Sequence, residues 1–148
     1  MDNVEIRLYK AADGMEMLGN LSGGLKGYPD AEKWCKEAEE DGKAFTVIYE
    51  GKMVACAGII TIMNGVGQAW ALYPLDIGSY HIDPRIAKDK LNELITKYKF
   101  RRVQATCRID FPAGQSYLRY MGFKCETPDG MKKYEPDGTD SFLYAIVR

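Results

Sequence analysis

The chain has 148 residues and carries 20 Lys and Arg against 21 Asp and Glu, a formal charge of −1; this is the length of about one domain, and the balance excludes a globally basic nucleic-acid binder. With 46% hydrophobic and 11% aromatic residues it reads as globular rather than disordered, and it is long enough to bury roughly 70% of its unfolded surface. No apolar run approaches the length of about 18 residues that a membrane helix needs, the acidic start Met-Asp-Asn-Val-Glu does not read as a signal peptide, and the single histidine, His81, excludes His-rich zinc sites and HExxH chemistry.

Residues 3–9 alternate apolar and polar, which predicts a strand with Val4, Ile6 and Leu8 on one face. Asp13 is the predicted cap of a helix over residues 13–21 that carries Met15, Met17, Leu18 and Leu21, and the glycine-rich run 22–27 breaks it. Asp30 is the predicted N-cap of a helix to about Glu40, closed by Gly42, with Ala31, Trp34, Cys35 and Ala38 as its apolar stripe. Residues 45–49 and 53–63 form a predicted hairpin across Glu50-Gly51-Lys52, the second strand apolar enough to be buried on both faces. Asn64-Gly65 is a turn, and residues 68–73 are a third strand with Trp70 in the core.

Residues 74–83 suit a loop or a short helical turn. Asp83-Pro84 then starts a helix to about Lys99, with Ala87, Leu91, Leu94, Ile95 and Tyr98 on one face. Residues 102–108 alternate, with Val103, Ala105 and Cys107 inward, and residues 112–121 are a helix ending at Gly122. Residues 123–126 and 142–147 are closing strands on either side of a turn-rich segment, and they could pair at an edge between two copies. Gly65, Gly67, Gly130 and Gly138 read as turn residues. The four cysteines form no CxxC pair, which points to reduced, mostly buried thiols in a cytoplasmic protein, with Cys56 and Cys107 as small core hydrophobes. The predicted order is β-α-α-β-β-β-α-β-α-β-β: one α/β domain over residues 1–148, three-layered, around a single mixed sheet. Its central crossover should be right-handed.

Charge is unevenly spread along this order. Residues 1–50 hold 11 acidic and 6 basic residues, whereas residues 84–108 hold 8 basic and 2 acidic ones. The second segment covers the crossover helix and the strand after it, so a local anion site is compatible with the near-zero total.

The element order is similar to that of the GNAT superfamily of N-acyltransferases. Gln115-Ser-Tyr-Leu-Arg-Tyr-Met-Gly-Phe123 resembles that family's helix-then-Gly-Phe signature, and the hairpin of residues 45–63, with its Glu-Gly-Lys turn and Ala55, Ala57 and Gly58, resembles its second and third strands. A narrower likeness joins Gln68-Ala-Trp-Ala-Leu, the basic helix and Tyr117-Leu-Arg-Tyr-Met-Gly-Phe to GNAT-like proteins of tailed bacteriophages, some of them internal virion or head-associated proteins.

The resemblance implies acetyl- or acyl-coenzyme A as cofactor and a small-molecule or peptide amine as acceptor, attacking the thioester directly. It places the cofactor's pantetheine arm along Ala71, Leu72 and Tyr73, and its phosphates near Arg85 and Lys88 at the start of the crossover helix, where unpaired N–H groups favour an anion. Asp83 as N-cap takes one of those N–H groups.

The sequence also departs from the family pattern. The family's phosphate loop, Arg/Gln-x-x-Gly-x-Gly/Ala, has no counterpart, since residues 74–85 contain only Gly78. Leu118 stands where the family's acid tyrosine would, flanked by Tyr117 and Tyr120, and the strand of residues 68–73 lacks the glutamate base common on the family's fourth strand, Asp76 being the nearest carboxylate. The proton-transfer candidates are therefore Tyr117, Tyr120 and Asp76, with Tyr73, Tyr80 and His81 behind them. The alternative expectation is a catalytically degenerate GNAT-like binding module or virion-associated protein, since fold does not fix function.

Overall fold

A computed structural model describes residues 3–19, 30–74 and 76–148. Its elements run β1 (Val4–Leu8), α1 (Ala11–Gly19), α2 (Ala31–Asp41), β2 (Ala44–Tyr49), β3 (Lys52–Met63), β4 (Val66–Leu72), a 3-10 turn (Ile77–Tyr80), α3 (Pro84–Lys97), β5 (Arg102–Arg108), α4 (Pro112–Met121), β6 (Lys124–Cys125) and β7 (Ser141–Val147). The strands form one mixed seven-stranded sheet in the order β1-β2-β3-β4-β5-β7-β6. No described helix is long and apolar enough to cross a membrane. The chain divides into two compact units: Met1–Ile60 with Trp70–Asp89, and Thr61–Ala69 with Lys90–Arg148.

In the first unit, β1 and β2 pair antiparallel from Val4↔Tyr49 to Leu8↔Phe45, and β2 pairs antiparallel with β3. The β2–β3 turn has positive φ at both Glu50 and Gly51, the twist a tight hairpin needs. Tyr9, Met17, Ala38, Ala44 and Cys56 form one apolar cluster, against which Met53, Ile60, Trp70 and Leu72 pack. Leu18, Ala31 and Cys35 form a second, joined by Trp34 and again by Leu72. These two clusters explain the apolar stripe of α2. Each fully buried aliphatic side chain in them is worth roughly 1.5–3 kcal/mol.

Two sequence expectations change here. Helix α1 starts at Ala11, so Asp13 lies inside its first turn and is not its cap. From there its carboxylate reaches back to accept the Lys10 N–H at 3.0 Å, the arrangement of a capping box seen from the acidic side. The end expected at Leu21 and the breaker at 22–27 lie outside the described residues. Strand β3 is also not buried on both faces. Val54, Cys56 and Ile59 are buried, but Met53, Ala55 and Ala57 are only half-buried, and Ile62 and Met63 are exposed.

In the second unit, β5 shows the expected alternation, with Val103, Ala105 and Cys107 buried. It pairs antiparallel with β7 over its whole length, from Arg102↔Val147 to Arg108↔Ser141. The other side of β7 is covered by Lys124↔Ala145, Cys125↔Tyr144, the Glu126 N–H to the Leu143 carbonyl and the Met131–Ser141 bridge. Strand β7 is therefore interior, and the expected edge at residues 142–147 does not exist. Gly67 is likewise a buried strand residue opposite Val103 rather than a turn residue.

Helix α3 ends at Lys97, two residues before the expected Lys99. Lys99 takes a left-handed φ of 56°, the Phe100 N–H bonds to the Ile95 carbonyl and the Lys99 N–H to the Thr96 carbonyl. That pair is a Schellman motif with lysine where glycine is usual.

Candidate functional site

Strand β4 rises from the Asn64-Gly65 turn and enters a parallel ladder with β5 that runs from Val66↔Arg102 to Gln68↔Gln104. At its last rung the Gln104 amide donates to Gln68 Oε1 at 3.3 Å, and Arg102 Nε donates to Gln104 Oε1 at 3.0 Å. Arg102 also grips Glu126 with both guanidinium ends, at 2.9 and 2.5 Å, which holds the Glu126 carboxyl below its usual range. Strand β4 continues past this ladder. There Trp70 and Leu72 turn to the apolar clusters, Ala71 is exposed and Tyr73, just after the strand, is half-buried.

The segment after β4 is tied down locally. The Asp76 carbonyl accepts the Ser79 N–H at 2.9 Å and the Ser79 hydroxyl at 2.7 Å, while the residue itself is exposed. Lys52 Nζ donates to the Tyr80 hydroxyl at 2.9 Å, and the Tyr80 ring meets Tyr49 edge-on at 5.7 Å. The bond to Tyr80 raises the Lys52 pKa. The ammonium lies 5.5 Å from the ring centre. That distance belongs to a cation in line with the C–O bond rather than over the ring face, so the contact is a hydrogen bond and not a cation–π one. The sequence had no local signal for this brace, because its partners lie 28 residues apart. His81 closes the turn in a left-handed conformation and is exposed.

Asp83 caps α3 as expected, accepting the Arg85 N–H at 2.9 Å. Its carbonyl accepts the Ile86 N–H at 3.1 Å, and Pro84 has no N–H to offer. The Arg85 side chain then closes on the same carboxylate, Nε at 3.1 Å from both oxygens and Nη2 at 2.8 Å from Oδ2. This grip lowers the Asp83 pKa. An anion approaching α3 would thus meet a carboxylate already seated on the first donors and on the nearest guanidinium. Lys88, half-buried, lies one turn further along. Gly78 makes no close approach, since a Cβ there would meet nothing within 4 Å.

In the second unit, Tyr117 and Tyr120 are exposed on α4 and Leu118 between them is half-buried. The helix is anchored by the Gln115 amide, which donates to the carbonyls of Ile109 at 2.9 Å and Arg108 at 3.2 Å, and it ends at Gly122 with a left-handed φ of 106°. Arg108 binds Asp110 and Asp137 and so pins the turn-rich segment to the end of β5. The cofactor candidates Ala71, Leu72, Tyr73, Arg85 and Lys88 thus fall in the first unit together with Asp76, and the two candidate tyrosines fall in the second. A surface depression on α2 is lined by Asp30, Glu32, Lys33, Lys36, Glu37 and Glu40 and by none of these candidates. Among the described residues no group of three or more His, Cys, Asp or Glu is placed to hold a metal ion.

No protein-family model and no curated protein matches the sequence. Solved structures do match in shape. Ard1 from Thermoplasma volcanium superposes with a TM-score of 0.78 at 11% identity, over 98% of this chain and 97% of that one. A GNAT-family acetyltransferase from Bacillus anthracis gives 0.69 at 17% identity, over 99% and 95%. A variant of the spermidine N-acetyltransferase from Vibrio cholerae gives 0.73 at 10% identity, over 98% and 94%. Identities this low speak for architecture rather than chemistry: the chain has the fold of the GNAT acetyltransferases.

Proposed function

We propose that the chain is an N-acyltransferase that takes an acetyl or other acyl group from acyl-coenzyme A and passes it to a small-molecule or peptide amine. The observation that carries this reading is the end of β4 in a fold shared with acetyltransferases. Ala71 and Leu72 lie beyond the ladder that occupies Val66, Gly67 and Gln68, and the indole N–H of Trp70, next to them in the strand, is buried without an acceptor among the described residues. A pantetheine arm, rich in amide groups, suits such a strand. The coenzyme would supply an activated thioester. The chain's own residues would supply the rest: backbone at Ala71, Leu72 and Tyr73 to hold the arm, Arg85 and Lys88 to neutralise phosphate, and Asp76, Tyr117 or Tyr120 to move a proton through solvent. Holding two reactants in register can carry much of an acyl-transfer barrier, so the leucine at position 118 does not preclude turnover.

The expected result with acetyl-coenzyme A at ten times its dissociation constant is about 1.4 kcal/mol of added stability. In a chain of this size that raises the melting temperature by roughly 3–5 °C. An unchanged melting curve at millimolar ligand, with no heat of binding, would sink the proposal.

The start of α3 is where this chain resists the coenzyme, because phosphate must displace Asp83. Asp83→Asn keeps a good cap and removes the competing charge. Coenzyme A should then bind about tenfold more tightly by calorimetry, a gain of about 1.4 kcal/mol; equal affinities would show that the phosphates do not use this helix. The same Asp83 contacts favour a second reading, a binding module of this fold that has lost transfer. Coenzyme binding without acyl turnover against a panel of amines would select it.

A further inference from the structure

Strand β1 is one edge of the sheet, and two bonds fix which way its backbone points. The Glu50 N–H donates to the Asn3 carbonyl at 2.9 Å, and the Tyr9 N–H to the Ala44 carbonyl at 3.3 Å. Asn3 and Tyr9 thus bond toward β2, and by the alternation of an antiparallel ladder so do Glu5 and Arg7. The N–H and C=O groups of Val4, Ile6 and Leu8 point the other way. Among the described residues no second strand takes them. The Leu8 carbonyl receives one Arg7 N–H at 3.2 Å and keeps a lone pair beside it.

An open edge is a template for another strand, and the side chains of β1 say which strand fits. Val4-Glu5-Ile6-Arg7-Leu8 is complementary to itself when it runs antiparallel about Ile6. In that register Ile6 faces its own copy, Val4 faces Leu8 and Glu5 faces Arg7. The backbone agrees, because the outward groups of residues 4, 6 and 8 meet those of residues 8, 6 and 4. Leu8, 69% exposed in the single chain, gains an apolar neighbour, and the exposed Glu5 gains a guanidinium. The Arg7 side chain is 38% exposed and still has N–H groups to give after Asp13 and the Leu8 carbonyl take theirs. A parallel, in-register contact would instead set Glu5 on Glu5 and Arg7 on Arg7, which is repulsive. The pattern therefore favours a closed twofold pair over stacking into fibres.

We propose that β1 is a homodimer interface, in which two copies pair antiparallel through residues 4–8 with Ile6 on the twofold axis. A contact of this size is smaller than a permanent interface, so the dimer is weak, with a dissociation constant on the order of 50 µM.

Sedimentation velocity should show monomer at about 1 µM and mostly dimer at about 500 µM. Glu5→Arg sets like charges opposite each other twice across the axis and should weaken the dimer at least about tenfold. Leu8→Lys should weaken it too. Both side chains are exposed, so neither change touches the core. Val147→Lys, at a residue equally open but on β7, should dimerise like the wild type. Hydrogen exchange reads the geometry without a variant. The amides of Val4, Ile6 and Leu8 should exchange about fivefold more slowly at the higher concentration, and those of Glu5 and Arg7, already bonded to β2, should not change. A chain that stays monomeric at the higher concentration overturns the interface. So does a dimer that Glu5→Arg leaves at full strength, since it would belong to another face. Slow exchange of Ile6 and Leu8 already in the monomer also overturns it, because the edge would then be closed within one chain.

Discussion

Gly58→Ala should destabilise the protein by about 3 kcal/mol, the upper end of what overpacking costs. Gly58 sits on β3 opposite Ala44. A Cβ built there would lie 2.5 Å from the Lys43 carbonyl oxygen and 2.6 Å from both Cα and Cβ of Ala44. Two of those three atoms are backbone, so no rotamer change relieves the clash. The strands would have to part, and with them the Ile59 N–H to Lys43 carbonyl bond of 2.9 Å and the Tyr9 N–H to Ala44 carbonyl bond of 3.3 Å. Ala44 and Tyr9 both belong to the main apolar cluster, so the disturbance reaches the core. In urea, with a slope near 2 kcal/mol per molar, the midpoint should fall by roughly 1.5 M. A loss below about 1 kcal/mol would mean that the two strands are less tightly apposed than the distances state.

Asp13→Ala should cost about 2 kcal/mol at neutral pH. The Asp13 carboxylate accepts both guanidinium ends of Arg7 at 2.7 Å, the Lys10 N–H at 3.0 Å and the fully buried Thr46 hydroxyl at 2.9 Å. Removing it strands three donors at once. Breaking a fully buried pair costs about 3–5 kcal/mol, but the Arg7 side chain is 38% exposed and water can re-solvate it, which lowers the figure.

The same group makes stability depend on pH. Burial disfavours the charged carboxylate, yet Arg7, the Lys10 amide and Thr46 outweigh it and hold the pKa below the ordinary 3.8. A folded pKa below the unfolded one gives stability that is complete above the unfolded value and is lost as pH falls through the folded one. The wild type should therefore weaken below about pH 4. The Asp13→Ala difference in urea midpoint should shrink between pH 7 and pH 3. A difference that stays constant over that range would assign the effect to packing instead of charge. Asp83, Asp110, Glu126 and Asp140 are lowered as well and add to the wild-type slope with the same sign.

Local signals in the sequence carried most of the fold. Asp83-Pro84 announces α3, and Gly42 and Gly122 announce the ends of α2 and α4, because each supplies a backbone conformation or an acceptor within its own turn. Where the ending was made by a lysine in a left-handed conformation, at Lys99, no residue type gave it away. The helix start at Ala11 was hidden because Asp13 answers to Arg7, six residues before it, and to Thr46, 33 residues after it. The strand pairing that makes β7 interior depends on Met131 and residues 124–126, which read as turn and edge. For the candidate site, the basic segment was legible as charge, but the closure of Arg85 on Asp83 is a matter of rotamers. That the Trp70 N–H has no acceptor among the described residues is visible only once the side chains around it are placed.

The four cysteines sit at different depths. Cys125 is exposed, Cys35 and Cys56 are buried in the first unit, and Cys107 is buried in the second. Desolvation pushes the Cys56 thiol up to about 11 and raises Cys35 and Cys107 as well. None of the buried three is a thiolate at neutral pH, and none reacts until its own surroundings open. A thiol reagent followed by mass spectrometry would mark Cys125 at once and then tag each unit at the rate at which that unit breathes. The native chain thus carries its own labels for timing the opening of one half against the other, with no engineered probe.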